Sequence, residues 1–399
     1  MTRRWRAALV VVSALLIVAG VLSVPAVPGH AQAALAVDLL ASDVSLGAVR
    51  ADPFTADPTP GSCAGLDAGF GVGNHLFKNS GFGLYASVWP TYAALGLLYV
   101  RSLPPGEDGC AADFSATVGS VDANYWDRAA FDQGPRPYHV PSDLPRVDDS
   151  LWMGLAMMAA DHRAPSPALL HRAEAVFTLA VANWDRDGGG VYWEESGAGG
   201  KVRAVVSNAP AVLLGVELYR RTGRARYLRW SERDMAWLRR TLEDPADGLY
   251  DDHVAGPGGR QTVDRARYTY VEGVTVAALA ALSAVDPSAY PLRAAVALAD
   301  RSMAYFAAHH AYGQPGFDVV WAQSVLGLAA RYGHPGFTAR AVRSVRSAVA
   351  AGPAHPADLL DTAAEATLHA LLRLPPADYG NLWYTAPVSY HVGMPRRHS

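Results

Sequence analysis

The sequence predicts an all-α fold, a closed toroid of helical hairpins, and three observations carry that expectation. Apolar residues recur every three or four positions through most of the chain. Strand-like alternation is limited to short pieces near Val191-Tyr192-Trp193 and Val202–Val206. Breaks between helical runs return at intervals of about 50–60 residues, room for two helices and their loops. One hairpin cannot bury its apolar faces alone, so such units must stack. Six of them would fill the chain and suit closure, although periodicity alone also allows an open solenoid.

The chain opens with Arg3, Arg4 and Arg6, then an apolar run from Ala7 to Val24, then Ala31-Gln32-Ala33. This is the pattern of a secretory signal peptide with a small-residue cleavage site, so residues 1–33 are expected to be removed. An uncleaved anchor is the alternative, because the run approaches spanning length. Loss of the leader moves the formal net charge from −3 to about −6. A mildly acidic chain without a basic stripe argues against nucleic acid as a partner. No second long apolar segment follows, so the mature protein is expected to be off the membrane, secreted or held at the cell envelope, and monomeric. Cys63 and Cys110 are the two cysteines. In an oxidising compartment they are expected to form one disulfide, worth roughly 3–4 kcal/mol in the chain-entropy model.

Residues 34–399 are expected to form one domain, without a Ser/Thr/Pro-rich linker or low-complexity tract. Leu169, Ala173, Val176, Ala180 and Trp184 mark one helical face behind Ser166-Pro167, an N-cap followed by a first-turn proline. Leu228, Ser231, Met235, Leu238 and Leu242 repeat the spacing. Further helices are expected over about 87–102, 150–162, 208–222, 272–285, 291–310, 318–332, 338–350 and 357–373. Residues 51–86 and 103–147 are rich in Gly, Pro and Asp and read as irregular; long loops in a compact domain are usually functional or disordered.

The second irregular stretch delivers the chain to Asp148 and Asp149, just before the helix expected from Ser150. Two carboxyl groups flanking a glycosidic bond, about 5–5.5 Å apart, are what a retaining glycosidase requires. The structural alternative is that Asp148, Asp149 and Ser150 only cap the helix. Gly188-Gly189-Gly190 permits close backbone approach ahead of Tyr192 and Trp193, and aromatic faces suit the C–H surface of a sugar ring. That glycine run lacks the Gly-Lys-Ser/Thr of a phosphate cradle, and no Gly-x-Ser-x-Gly elbow is present. His309 and His310 lack the spacing of a zinc site. Asp251-Asp252 could contact sugar hydroxyls, hold a cation or cap a turn.

Taken in order, the motifs resemble glycoside hydrolase family 76, the endo-α-1,6-mannanases. They run from Val147-Asp148-Asp149-Ser150-Leu151-Trp152-Met153-Gly154 through Gly188–Trp193, Lys201 and Val206-Ser207-Asn208. Leu218–Gly223, Tyr227-Leu228, Trp237-Leu238, Gly248-Leu249-Tyr250-Asp251-Asp252 and Tyr268-Thr269-Tyr270-Val271-Glu272-Gly273 complete the set. The resemblance implies an (α/α)6 barrel that needs no cofactor and acts on an α-mannan type of polysaccharide. It also implies Asp148 as nucleophile and Asp149 as acid/base, the raised carboxyl of the two. Asp252 falls on an acid that contacts the sugar, and Trp152, Trp193, Asn208, Tyr270 and Glu272 are expected along the cleft. Two departures stand out: Tyr-Asn-x-Gly is replaced by Tyr270-Val271-Glu272-Gly273, and a Phe-Lys-Gly segment is not found around Gly316-Phe317-Asp318. A transglycosidase on envelope mannan, or a glycan-binding envelope protein without catalysis, are the other functions the same residues allow.

Overall fold

The computed structural model describes residues 63, 76–78, 85–127, 130–135, 146–198, 200–257, 260–353 and 358–383. The leader, 1–33, lies outside the described residues, as does most of 51–86. Eleven α-helices are present among the described residues: α1 (Val88–Arg101), α2 (Asp108–Tyr125), α3 (Val147–Arg163), α4 (Pro167–Ala182), α5 (Val205–Thr222), α6 (Ala225–Thr241), α7 (Thr269–Val285), α8 (Leu292–His309), α9 (Pro315–Tyr332), α10 (Pro335–Ala351) and α11 (Leu359–Arg373). Two small antiparallel sheets accompany them. One pairs β1 (Trp126–Asp127) with β2 (Ala130–Phe131); the other runs in the order β3 (Arg203–Ala204), β4 (His253–Ala255), β5 (Thr262–Asp264).

Burial sorts the helices into two rings. In α5 every residue from Val205 to Leu218 is buried, and α3 and α7 are buried just as continuously over Asp149–Asp161 and Val271–Ser283. A helix that is apolar all round belongs inside a core. By contrast α4 buries only the stripe Ala173, Val176, Phe177 and Ala180, and α10 only Phe337, Ala341, Val345 and Ala348. The inner helices α1, α3, α5, α7, α9 and α11 each pack on the next, and α11 packs back on α1. The ring is therefore closed, and the open solenoid is excluded. Because an antiparallel outer helix follows each of the first five inner ones, all six inner helices run in the same direction and present their N-termini at one rim.

Small residues let the inner helices approach. Gly273 of α7 lies against the backbone of α9: a Cβ there would stand 2.4 Å from the Trp321 Cα. Trp321 itself is fully buried and donates its indole N–H to Ser302 Oγ at 3.0 Å, which ties α9 to α8. Cys63 and Cys110 are disulfide-bonded with Cα atoms 5.1 Å apart, so the expected bridge forms and fastens the segment ahead of the ring to α2.

Two expectations need correcting. The stretch 103–147 is not irregular throughout, because α2 occupies Asp108–Tyr125. Its buried positions Cys110, Phe114, Thr117, Val118, Val121 and Tyr125 do keep helical spacing, but Gly, Ser and Asp between them dilute the apolar signal. The inner helices also begin earlier than their apolar pattern suggests, at Val147, Val205, Thr269 and Pro315 instead of 150, 208, 272 and 318. In α3, α7 and α9 the extra turn carries Asp148, Tyr270 and Phe317, each only partly buried, whereas in α5 it is the buried Val205-Val206-Ser207.

Replacement of Gly273 by Ala is expected to destabilise the protein by about 1–3 kcal/mol or more, since the added methyl meets backbone that cannot step aside. Urea unfolding of the variant measures this; an unchanged midpoint would mean that α7 and α9 pack less closely.

Candidate active site

Asp148 and Asp149 occupy the second and third positions of α3, behind Arg146, which takes the cap position in extended conformation without a side-chain cap. Capping is therefore not what Ser150 does: its Oγ accepts the Phe131 N–H at 3.1 Å and draws the β1–β2 hairpin onto the start of α3. Consecutive residues of a helix point about 100° apart, and here each carboxyl finds its own surroundings. Asp149 is buried and accepts a 2.7 Å hydrogen bond on Oδ2 from Gln133 Nε2, just beyond β2. Asp148 turns toward the loop before α5, where Trp193 donates a side-chain hydrogen bond to it, while its Oδ1 is enclosed without a partner.

Burial pushes both carboxyls above the usual range, Asp148 further, because the neighbouring Asp149 charge adds to the desolvation. The Arg146 charge opposes the rise at both, and Gln133 favours the ionised form of Asp149. The sequence-based expectation placed the raised value on Asp149. Here burial raises both, Asp148 the more because the Asp149 charge adds to its desolvation, and each carboxyl accepts one side-chain hydrogen bond, from Trp193 and Gln133 respectively.

The Gly188–Gly190 run has a specific cause. Gly189 and Gly190 have φ of 74° and 84°, and a Cβ on either would strike the Trp237 ring at 2.6 and 2.5 Å. Trp237 Nε1 donates to Gly188 O at 3.0 Å, so the indole clamps the turn. The chain leaving it is fixed by Asn208, fully buried, whose amide accepts the Val191 N–H at 2.6 Å and donates to Val191 O and Ala204 O. Trp193 then pairs by backbone with both flanks: Val147 N–H donates to Trp193 O, and Trp193 N–H to Val202 O, each at 2.9 Å. The Arg146 guanidinium lies over the Trp193 ring, 4.8 Å from its centroid.

The Asp251-Asp252 pair is split. Asp251 is buried and bonded to the Arg267 guanidinium, with Arg265 3.5 Å away. Asp252 faces the site: Oδ1 accepts from Tyr270 OH at 3.2 Å and Oδ2 pairs with His253 Nδ1 at 2.7 Å. Its backbone is held from two sides, since Val205 N–H donates to Asp252 O and Asp252 N–H to Asp264 O. Burial, the Asp252 charge and hydrogen bond, and Asp148 all push the Tyr270 hydroxyl well up, which sets Tyr270 between the two acids.

Thus Trp193, Asp252 and Tyr270 gather around the Asp pair. Three expected cleft residues do not contact open space. Trp152 is 2% exposed and packs against Trp89 and Tyr92 with ring centroids 5.6 and 5.5 Å away, so it belongs to the core. Asn208 spends its amide on the Val191 loop. Glu272 is fully buried, accepting the Tyr250 N–H at 2.8 Å, and burial pushes its carboxyl up to about 8. Sequence reasoning missed Gln133, Arg146 and His253, which no local motif marks.

Comparison with known proteins agrees with this geometry. Residues 137–324 match the model of glycosyl hydrolase family 76. Over that region the chain is similar to glycoside hydrolase family 76. Among curated relatives, mannan endo-1,6-alpha-mannosidase DCW1 of Eremothecium gossypii is 35% identical over 101 residues, 23% of this chain and 22% of that protein. DCW1 of Candida glabrata is 28% identical over 147 residues, 34% of this chain and 33% of that protein. The matched segments thus span a third or less of these relatives. Among solved structures, an inactive variant of the α-1,6-mannanase GH76A of Salegentibacter sp. HEL1_6, with two neighbouring Asp residues changed to Asn and α-1,6-mannotriose bound, superposes with a TM-score of 0.63. It is 16% identical and covers 75% of this chain and 93% of that one. The α-mannanase BT2949 of Bacteroides thetaiotaomicron gives 0.64 at 17% identity, covering 77% and 91%. These likenesses establish the family-76 fold, the (α/α)6 barrel.

Two titrations follow from the geometry. Glu272 ionises near 4.5 when unfolded and near 8 when folded, so the native state holds a proton that the unfolded chain releases. Stability should fall as pH rises between these values and level off above. Glu272→Gln keeps an acceptor for Tyr250 and should flatten that decline, read from urea unfolding at several pH values; a parallel decline would place the titration elsewhere. For His253, burial disfavours the imidazolium, but the hydrogen bond and charge of Asp252 and the charge of Asp264 outweigh it and raise the pKa above 6.5. Its stabilising contribution is full below about 6.5 and is lost as pH rises through the raised folded value. NMR titration should show the His253 pKa drop in Asp252→Asn, and an unmoved value would dissolve the pairing.

Proposed function

We propose that this protein is a secreted, monomeric retaining glycosidase that cleaves α-1,6-mannosidic linkages in mannan-type polysaccharides, with Asp148 and Asp149 as its catalytic pair. The observation that carries the reading is the adjacent pair at the rim of the barrel, Asp149 buried and Asp148 half-buried, both carboxyls raised, walled by Trp193, Tyr270 and Gln133. It is supported by the mannanase relatives and by the inactive double Asp-to-Asn variant crystallised with α-1,6-mannotriose. No helix among the described residues is long and apolar enough to cross a membrane.

A retaining reaction needs one proton on the pair. The first carboxylate attacks the anomeric carbon while the second gives its proton to the departing glycosidic oxygen; water, activated by the second, then releases the sugar from the first. With Asp148 as nucleophile and Asp149 as acid/base, as the family resemblance implies, the proton of the pair is on Asp149 when the leaving oxygen accepts it. The Trp193 N–H and the Arg146 charge then hold Asp148 as the anion. Asp252, kept in place by Tyr270 and His253, is left with lone pairs for sugar hydroxyls.

Incubation with linear α-1,6-mannan should release oligosaccharides resolved by thin-layer chromatography, and longer products would reveal transfer to an acceptor sugar. Either Asp→Asn substitution should lower turnover by about 10²–10⁴-fold or more. With an activated leaving group that needs no protonation, Asp149→Asn should keep the first step and be rescued by azide, whereas Asp148→Asn should not. Rescue of Asp148→Asn instead would exchange the two roles. Inversion of the anomeric configuration in the first product would remove the retaining mechanism.

A further inference from the structure

Beside the carboxylates, three aromatic rings form one continuous cluster. Tyr268 and Tyr270 are stacked, centroids 5.6 Å apart at 30°, and Phe317 lies 4.2 Å from Tyr270 and 5.7 Å from Tyr268. All three are only partly buried. They come from two inner helices: Tyr268 caps α7, Tyr270 is in its first turn, and Phe317 is in the first turn of α9. Their shared position is the rim that also carries Asp148. Tyr270 links the cluster to the reacting groups, because its hydroxyl donates to Asp252 and it lies within the field of Asp148. Tyr268 faces Asp252 and Asp264.

This combination has a chemical meaning. Apolar faces at a core boundary are normally covered, yet here they stay half open next to polar groups that ring them: Asp252, Asp264, His253 and two phenol hydroxyls. A hexopyranose matches that arrangement, with C–H faces for the rings and hydroxyls for the rim. Asp148, Asp149 and Trp193 mark the place where a bond would be cut, and Tyr270, within the field of Asp148, joins the aromatic cluster to it. A polymer seated there would have these rings beside it.

We propose that Tyr268 and Phe317 form a platform for a second hexopyranose ring of the substrate, displaced along the chain from the ring held by the Asp pair. Tyr268 heads the Tyr268–Gly273 motif without a role of its own there, and Phe317 lies where the Phe-Lys-Gly segment is not found. The proposal rests on the glycosidase reading above and adds to it the residues that make binding depend on chain length.

Isothermal titration of the inactive Asp148→Asn/Asp149→Asn protein with α-1,6-mannobiose and α-1,6-mannotetraose provides the test. The tetrasaccharide should bind more tightly than the disaccharide. Phe317→Leu and Tyr268→Leu, which keep bulk and remove the aromatic face, should each weaken tetrasaccharide binding by about tenfold and disaccharide binding by less than about twofold. Phe317→Tyr should restore the tetrasaccharide affinity, which a purely packing role would not require, and thermal midpoints identify any variant that is misfolded. Equal affinity for the two sugars in the parent, or equal losses for both in the Leu variants, would overturn the platform. If the α-1,6 series does not bind but another manno- or gluco-oligosaccharide series shows the same length-dependent loss, the platform stands and the α-1,6 assignment falls.

Discussion

Six inner helices buried on nearly every side leave polar chemistry no place except their ends. The core tolerates few polar groups unless each is paired, and the inner helices meet this with Ala, Val, Leu and Gly along their length. Gly273 against the Trp321 backbone shows how closely the ring is drawn. Because the inner helices are parallel, their first turns and the loops before them converge on one rim. Asp148, Trp193, Asp252, Tyr270 and Phe317 arrive there from three inner helices and two connecting loops, and each owes its place to closure of the ring.

Electrostatics then separates structural charges from reactive ones. Arg203 is fully buried and pairs with Asp185 at 2.6 Å, while Arg267 gathers Asp244, Asp247 and Asp251. These ion pairs hold the loops that frame the rim, and removing one partner would strand the other in a medium of low polarity. Asp148, by contrast, has an enclosed oxygen with no partner and a like charge beside it. A carboxyl so placed is costly for folding and suited to proton transfer. Glu272 has the same unpartnered character on Oε2 but sits beneath the Tyr250 turn, out of reach of a polymer. A raised carboxyl alone therefore does not mark a catalytic group; access does.

Much of the fold was legible because apolar spacing survives where packing dictates it, as in the stripe of α4 or the run of α9. Legibility failed in the first turn of α3, α7 and α9, where Asp148, Tyr270 and Phe317 interrupt the apolar pattern, and in the first turn of α5, although its Val205, Val206 and Ser207 are all buried. It failed again in α2, whose interspersed Gly, Ser and Asp hide a regular stripe. Trp152 and Asn208 lie within recognised motifs, yet one fills the core and the other fastens a loop. A motif records that a residue matters without saying whether it meets the substrate or the protein.

The sequence by itself determined the helical repeat, the cysteines available to pair and the two adjacent carboxyl groups, all of which depend on residues close together in the chain. Only the tertiary structure decided that the ring closes, that Gln133 and not a capping contact meets Asp149, and that His253 and Tyr270 bracket Asp252. Those outcomes depend on burial and on groups brought together from distant turns, and neither quantity is written in local spacing.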